Sequence, residues 1–468
     1  WLKYPHIKDV TDFVTIHILP YWEDDTMNIK EAIKHLTETR EKVEHELKTS
    51  DILIGETGWP SEGRMREDAL PSKTNQALFV REFVKLAQER NWNYNIIEAF
   101  DQPWKRLSEG AVGGYWGFFD KDRLDKNVFK GDVSDFPNYR YLGFGSILLV
   151  LVFSLLLKNS TISTKKVVLF TFINTLFAIL YMLQMEQFNI TVRTSGEITW
   201  ATLVLLTHLA LYYLVLSNIA NNSKPAIVPI REILKEKHIN ANTLPMILFY
   251  SSFIFVLIST IILAFEGRYR NFEVYIFAIS AISFVLLYGG RFGNMGFKAF
   301  EKLSFLILLV TSGISYYNEG SLNIYSNVWI VIALIFTFIL FRGSNNSSFA
   351  ELKNIIKYIV IFFAVTISLR YGFIANKEII TQCHLNDDTL ICGIKDAIGY
   401  WGYIGVFGVI AIIVSIIALF VRNKKFGIIT LFTSIFAIMM FNTYVGSIAF
   451  ILILMILCKE ENLKALNS

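Results

Sequence analysis

The sequence predicts an α/β unit followed by an all-α membrane bundle, and three observations carry that prediction. The chain has 468 residues, of which 53% are hydrophobic and 18% charged, and a mean hydropathy of +0.44, too apolar for an ordinary soluble protein of this length. The apolarity is uneven: residues 1–140 carry charge, Trp and Pro in globular proportions, whereas 141–458 are a succession of long Ile/Leu/Phe/Val runs. Within the first part, strand-type and helix-type periodicities alternate. Two domains follow, 1–140 and 141–458, with 459–468 expected as a cytoplasmic tail.

Residues 10–22, VTDFVTIHILPYW, are a β-branched run closing on Pro20, and 28–48 repeat apolar residues at helical spacing through Ile29, Ala32, Ile33, Leu36, Val43 and Leu47. The pattern recurs with a strand at 52–55, a helix at 75–88 carrying Leu78, Phe79, Phe83, Val84 and Leu86, and a third strand in NIIEAFD, 95–101. Strands alternating with helices of this length predict a parallel sheet joined by crossover helices. Three strands cannot close a barrel.

In a βα barrel the reacting groups sit where strands exit toward their following helices. Here all three exits, HILPYWE, GETGWPSEG and EAFDQPWKR, are acidic or aromatic. On one rim, His17, Tyr21, Trp22, Glu56, Trp59, Glu98, Asp101, Trp104 and Lys105 combine carboxylates with indole and phenol rings. Sugars suit such a cleft, because their C–H faces stack on rings while hydroxyls bond carboxylates and Lys. Each residue also has a plainer reading: Glu56 as a surface ion-pair partner, His17 as a satisfied core histidine, Trp22 and Trp104 as packing, Lys105 as a solvated charge or the partner of Glu98 or Asp101.

GETGWPSEG resembles the nucleophile motif of glycoside hydrolase family 17, the β-1,3-glucanases and related glucanosyltransferases. FDQPWK, 100–105, is similar to that family's segment after the eighth strand, and HILPYWE to its sixth-strand exit, particularly in bacterial members. The likeness spans about residues 1–120. It implies the last three strands of a (β/α)8 TIM barrel in a bacterial membrane-fused member, and a retaining mechanism with Glu56 as nucleophile. Tyr21 is expected to orient that carboxylate, and the other rim residues, with Gln102, to bind substrate. Gln102 stands where the plant-type pattern has Glu, so its sugar contact is expected to be neutral. The family's acid/base, an Asn-Glu pair at the fourth strand, has no counterpart in the soluble part; Asn318-Glu319 falls between membrane spans. The chain, which opens on Trp1, is therefore expected to be truncated at its N-terminus and inactive alone.

Apolar runs at 142–157, 167–185, 198–217, 244–265, 272–288, 303–316, 325–341, 355–373 and 399–421 approach the roughly 17 to 25 residues that a spanning helix needs. With 426–457 divided by a turn at Asn442–Gly446, ten or eleven spans are expected. Basic residues fall in alternate connections: Lys158/Lys165/Lys166, Lys224/Arg231/Lys235/Lys237, Arg291/Lys298/Lys302, Arg342/Lys353/Lys357 and Arg422/Lys424/Lys425. These are the expected cytoplasmic side, which puts the soluble part on the periplasmic or extracellular side of a bacterial inner membrane. Cys383 and Cys392 fall on that same side and are expected to pair as a disulfide. His208, inside the third run, reads either as a pathway residue or as a neutral helix-packing group.

No metal site or cofactor is expected, since the three cysteines lack C-x-x-C spacing. The small net charge of +4 and the lack of a basic run interleaved with aromatics argue against nucleic acid. The expected partners are β-glucan, membrane lipid and a glucan synthase. The leading reading is a membrane-embedded retaining β-glucan hydrolase or transglycosylase acting at the cell surface. The alternative is a glucan-binding or polysaccharide-export protein with a degenerate barrel.

Overall fold

The computed structural model describes residues 1–157, 163–221, 225–227, 243–344, 349–385, 389–421, 423–459 and 466. Lys158, Lys224, Arg231, Lys235, Lys237 and Arg422 of the basic connections, and most of the tail, lie outside the described residues.

Three parallel strands form the sheet, in the order β1 (Val14–His17), β2 (Ile52–Thr57) and β3 (Asn93–Ile96). The crossovers are α1 (Ile29–Leu47) and α2 (Lys73–Glu89). Asn28 caps α1 by accepting from the Lys30 and Glu31 amides, and Ser72 caps α2 through the Asn75 amide. The apolar stripes turn inward: Ala32 and Leu36 of α1 and Phe79 and Phe83 of α2 pack with Ile54, Trp59 and Trp116 in one core. The first strand is shorter than the sequence suggests, because Pro5–Val10 winds into a 3-10 helix. The third begins earlier and ends at Ile96, because Glu98–Asp101 change partner and bond the Trp116–Phe119 segment instead. These strands make an open sheet, and among the described residues no closed barrel forms.

The rest is helical: α3 (Tyr139–Leu156), α4 (Thr164–Thr191), α5 (Ser195–Asn221), α6 (Leu244–Glu266), α7 (Val274–Tyr288), α8 (Ala299–Glu319), α9 (Ile324–Gly343), α10 (Lys353–Leu369), α11 (Lys377–Leu385), α12 (Leu390–Tyr403), α13 (Val406–Ala418), α14 (Lys424–Met439) and α15 (Thr443–Leu457). Among the described residues seven helices are long and apolar enough to cross a membrane, or up to eight if the bent pair α12–α13 counts as one. That is fewer than the ten or eleven apolar runs suggest. The reason is length: α7 and α15 have 15 residues each and α14 has 16, below the roughly 20 of a straight crossing. The break between α14 and α15 falls at Met440–Asn442, just before the expected turn. Asn442 fixes it, donating to the Gly402 carbonyl and accepting from the Gly408 amide at the α12–α13 bend. His208 is buried in α5 with Nδ1 on the Val204 carbonyl and its ring edge-on to Phe277, a packing role. Cys383 and Cys392 are joined by a disulfide, whose loop residues 386–388 lie outside the described residues.

All three loops that leave the C-terminal ends of the strands rest on one end of the helical part. After β1, Trp22 meets the Tyr269 ring edge-on with the Arg268 guanidinium over it. After β2, Arg64 donates to the Gly267 carbonyl and pairs with Glu319, while Asn323 donates to the Met65 carbonyl at 2.9 Å. After β3, Arg106 Nη1 and the Tyr115 hydroxyl both donate to the Ile190 carbonyl at 3.1 Å. Gly110 is required here, since its φ is +73° and a Cβ would lie 2.8 Å from the Tyr269 carbonyl oxygen.

Two predictions follow from this seam. Arg64 and Glu319 are only 4% and 10% exposed at the side chain, and removing one partner of a buried ion pair costs about 3 to 5 kcal/mol. Glu319→Gln should therefore lower the melting temperature of the purified protein and open the 58–70 loop to protease. The double change Arg64→Met with Glu319→Leu should do less damage than Arg64→Met alone. For the disulfide, an impermeant maleimide should label neither Cys383 nor Cys392 before reduction and both after it.

Candidate active site

Glu56 is the second-last residue of β2, and the register places it directly against His17 at the end of β1. His17 Nδ1 and Glu56 Oε2 are 3.0 Å apart, and both side chains are about half exposed. A proton on Nδ1 would be donated to the carboxylate, holding it in one orientation. Gly55 permits this approach, because a Cβ there would fall 2.5 Å from the Thr15 methyl and 3.1 Å from His17 Nε2.

Glu98 follows the third strand and is clamped by its backbone, its amide bonded to the Trp116 carbonyl and its own carbonyl to the Phe118 amide. Its carboxylate forms an ion pair with Lys105 through Oε1, while Oε2 is buried without a hydrogen-bond partner among the described residues. Trp104 beside it is 66% exposed, with the Lys105 ammonium 5.7 Å from its ring centre. His17, Glu56, Trp104 and Lys105 thus remain the accessible polar and aromatic groups of the rim, with Glu98 buried behind Lys105 and Gln102 half-buried next to them.

Other expected site residues do different work. Tyr21 is fully buried and donates to the Arg64 carbonyl at 2.7 Å, so it does not orient Glu56; His17 stands in that place. Burial pushes the Tyr21 phenol up, against the lowering effect of Arg64 and Arg66. Trp59 is wholly buried, its indole N–H on the Leu70 carbonyl and its ring against Tyr21 and Phe79, so it supports the core and offers no sugar platform. Trp22 belongs to the seam with the helical part. Asp101 is held by Lys126 Nζ and the Gly117 amide, both at 2.9 Å. Burial raises its carboxyl and the Lys126 charge opposes that rise. It braces the loop, and the ion-pair partner of Lys105 is Glu98.

One carboxyl escapes the sequence reading. Burial raises the Glu109 carboxyl, Lys105 counters it, and the Glu98 and Glu56 charges push it up further, so Glu109 shares the electrostatic field of the site. Its spacing of four residues from Lys105 on one short helical turn is the signal that could have found it. The Asn318-Glu319 pair plays no part here: Asn318 bonds the Ala264 carbonyl, and Glu319 holds Arg64.

Residues 1–117 match the sequence profile of the BtgE/BtgC glycoside hydrolase domain. The glucan 1,3-beta-glucosidase of Saccharomyces cerevisiae is 31% identical over 128 residues, 24% of this chain and 38% of that protein. The probable beta-glucosidase btgE of Aspergillus fumigatus is 30% identical over 111 residues, covering 24% and 19%. A solved glycoside hydrolase family 17 beta-1,3-glucanosyltransferase from Rhizomucor miehei is 26% identical, covering 27% of this chain and 45% of that one with a TM-score of 0.24. The chain spans less than half the length of each of these proteins. Over residues 1–117 the chain is thus similar to the BtgE/BtgC glycoside hydrolase domain and to glucan-directed relatives.

Proposed function

We propose that the protein is a retaining β-glucan hydrolase or transglycosylase, acting on β-1,3-linked glucan, with Glu56 as its nucleophile. The observation that carries this reading is the pair Glu56–His17 at the strand ends, inside the segment that matches glucan-cleaving relatives. Glu56 attacks the anomeric carbon as the glycosidic C–O bond breaks, giving a glycosyl ester. A second carboxyl, about 5 to 5.5 Å away in such enzymes, protonates the departing oxygen. That proton donor is assigned to none of the described residues. Water or another sugar hydroxyl then displaces the ester, giving hydrolysis or transfer. Glu98, Lys105 and Trp104 grip the sugar: ion-paired carboxylate, ammonium and open indole face are the groups that hydroxyls and C–H faces engage.

The helical part is proposed to span a membrane, with the glycosidase part on the side away from the cytoplasm. Support comes from charge and direction together. Lys165 and Lys166 open α4, Lys302 lies at the start of α8, and Arg342 near the end of α9. Ile190, Glu319 and Asn323, which touch the glycosidase part, sit at the other ends of those same helices. The basic ends and the glycosidase part thus lie on opposite sides, as the positive-inside rule requires.

In the full-length protein Glu56→Gln should cut release or transfer of β-1,3-gluco-oligosaccharide about a thousandfold or more while glucan binding persists, because the amide is nearly isosteric yet forms no ester. Near-normal turnover with Gln at 56 would overturn the nucleophile assignment, and no turnover by the unsubstituted full-length protein would leave the glucan-binding reading in its place.

A further inference from the structure

Along the seam between the two parts lies a pocket of mixed polar and apolar lining, about 1130 Å³ counting its open mouth. The loop that follows Glu56 supplies one wall, from Ser61 to Lys73, and α4, α7 and α9 supply the other with Glu186, Gln187, Tyr275 and Tyr325. Below it an apolar groove of about 880 Å³ runs between α3 and α4, lined by residues such as Ile147, Val150, Leu151 and Ile179. The two adjoin at Leu142 and Leu183, which line both.

The chemistry changes sharply from one to the other. In the upper pocket the cations are already spent within the protein, Lys73 on Glu62 at 3.2 Å and Arg64 on Glu319, while Glu186 accepts from Asn138 at 2.7 Å and Asp135 from the Thr74 amide at 2.8 Å. The wall therefore has no surplus cation to recruit a phosphate. It does offer carboxylate oxygens, amides and phenols. Such a surface suits a neutral polyhydroxyl group. In the groove the few polar groups are small, and the Ser146 hydroxyl is spent on the Leu142 carbonyl at 2.8 Å. Gly143 keeps the groove wide, since a Cβ there would meet no heavy atom within 4 Å. From Leu142 to Leu151 the groove follows α3 for about 13 Å.

We propose that pocket and groove together bind a glycosylated lipid, its saccharide head in the seam and its hydrocarbon tail between α3 and α4. This rests on the reading that the protein handles β-glucan at a membrane, and it adds that the glucan reaches the protein attached to a lipid. A free glucan would use the upper pocket and have no use for the groove. A bilayer lipid would use the groove and leave the polar wall unengaged.

The test uses full-length Glu56→Gln protein in lipid nanodiscs, with empty nanodiscs subtracted, and three probes: a dodecyl β-1,3-glucobioside, the free disaccharide and dodecanol. The dodecyl glycoside should bind at least tenfold more tightly than the free disaccharide and should displace a diazirine-tailed analogue that crosslinks to α3 or α4. Gly143→Phe, which fills the groove, should weaken the glycoside at least fivefold and leave the free disaccharide unchanged. Ile147→Phe is the second variant should the first fail to fold. Glu186→Gln should weaken both sugars. Equal affinity for glycoside and free disaccharide, competition by dodecanol as strong as by the glycoside, or no binding at all would each overturn the proposal. Binding is read here in protein that cannot form the glycosyl ester. Failure of the Glu56 assignment would instead appear as turnover by Glu56→Gln, with the binding result standing.

Discussion

The buried ion pair between Arg64 and Glu319 is the constraint on which the arrangement of the two parts depends. Taking a guanidinium and a carboxylate out of water is costly, and their attraction repays it only where further hydrogen bonds satisfy what the pair leaves over. Here the Gly267 carbonyl takes one guanidinium N–H, Asn323 donates to the second carboxylate oxygen at 2.8 Å, and the Phe272 ring lies 5.1 Å from the guanidinium carbon. Asn323 also holds the Met65 carbonyl, so one amide ties the pair to the loop that carries it. The groups come from three separate segments, and the Arg64 guanidinium meets its partners only when the two parts are docked. A seam of this kind fixes one geometry.

That geometry bears on the chemistry, because the docked loop begins immediately after the strand that carries Glu56. Tyr21, buried beneath the rim, donates to the Arg64 carbonyl, and Arg66 Nη1 donates to the Tyr21 carbonyl at 2.6 Å. The exits of β1 and β2 are thereby stitched together through residues that also engage the helical part. His17 and Glu56 stand at the near ends of those exits. Their 3.0 Å contact is supported from below by Gly55 and from beyond by a loop anchored to α8 and α9, a supporting shell that holds a reactive carboxylate in one orientation.

Much of this was legible in the sequence, and the parts that were not share a physical cause. The elements of residues 1–100 follow from periodicity, since an apolar stripe at helical spacing has one way to be buried. Glu56 stands out because its Gly-Trp-Pro surroundings are specific. Tyr21 and Trp59 were misplaced because an aromatic ring is equally suited to a core or to a sugar platform, and residue type alone does not say which face of the rim it takes. The burial of Arg64 was invisible because its partner lies 255 positions away, on a helix whose contacts no local pattern encodes. The apolar runs likewise outnumber the described helices that reach spanning length. Composition marks a segment as apolar, but the turn that Asn442 pins between Gly402 and Gly408 depends on helices that meet only in the folded chain.

The direction in which the rim faces is the last consequence. In a βα fold the C-terminal strand ends are where substrate is handled, and here all three loops from those ends contact the helical part. A glycosidase tethered by a single linker could turn its cleft to the open solvent and meet glucan from any side. Here the strand-exit loops rest against helices, so under the proposed function glucan would approach Glu56 along the helix ends. The cost is reduced access for a long free polymer. The compensation is a wall of carboxylates, amides and phenols that a soluble barrel would lack, positioned where the apolar surface of α3 and α4 begins. A fold that accepts that exchange favours a substrate with affinity for both surfaces.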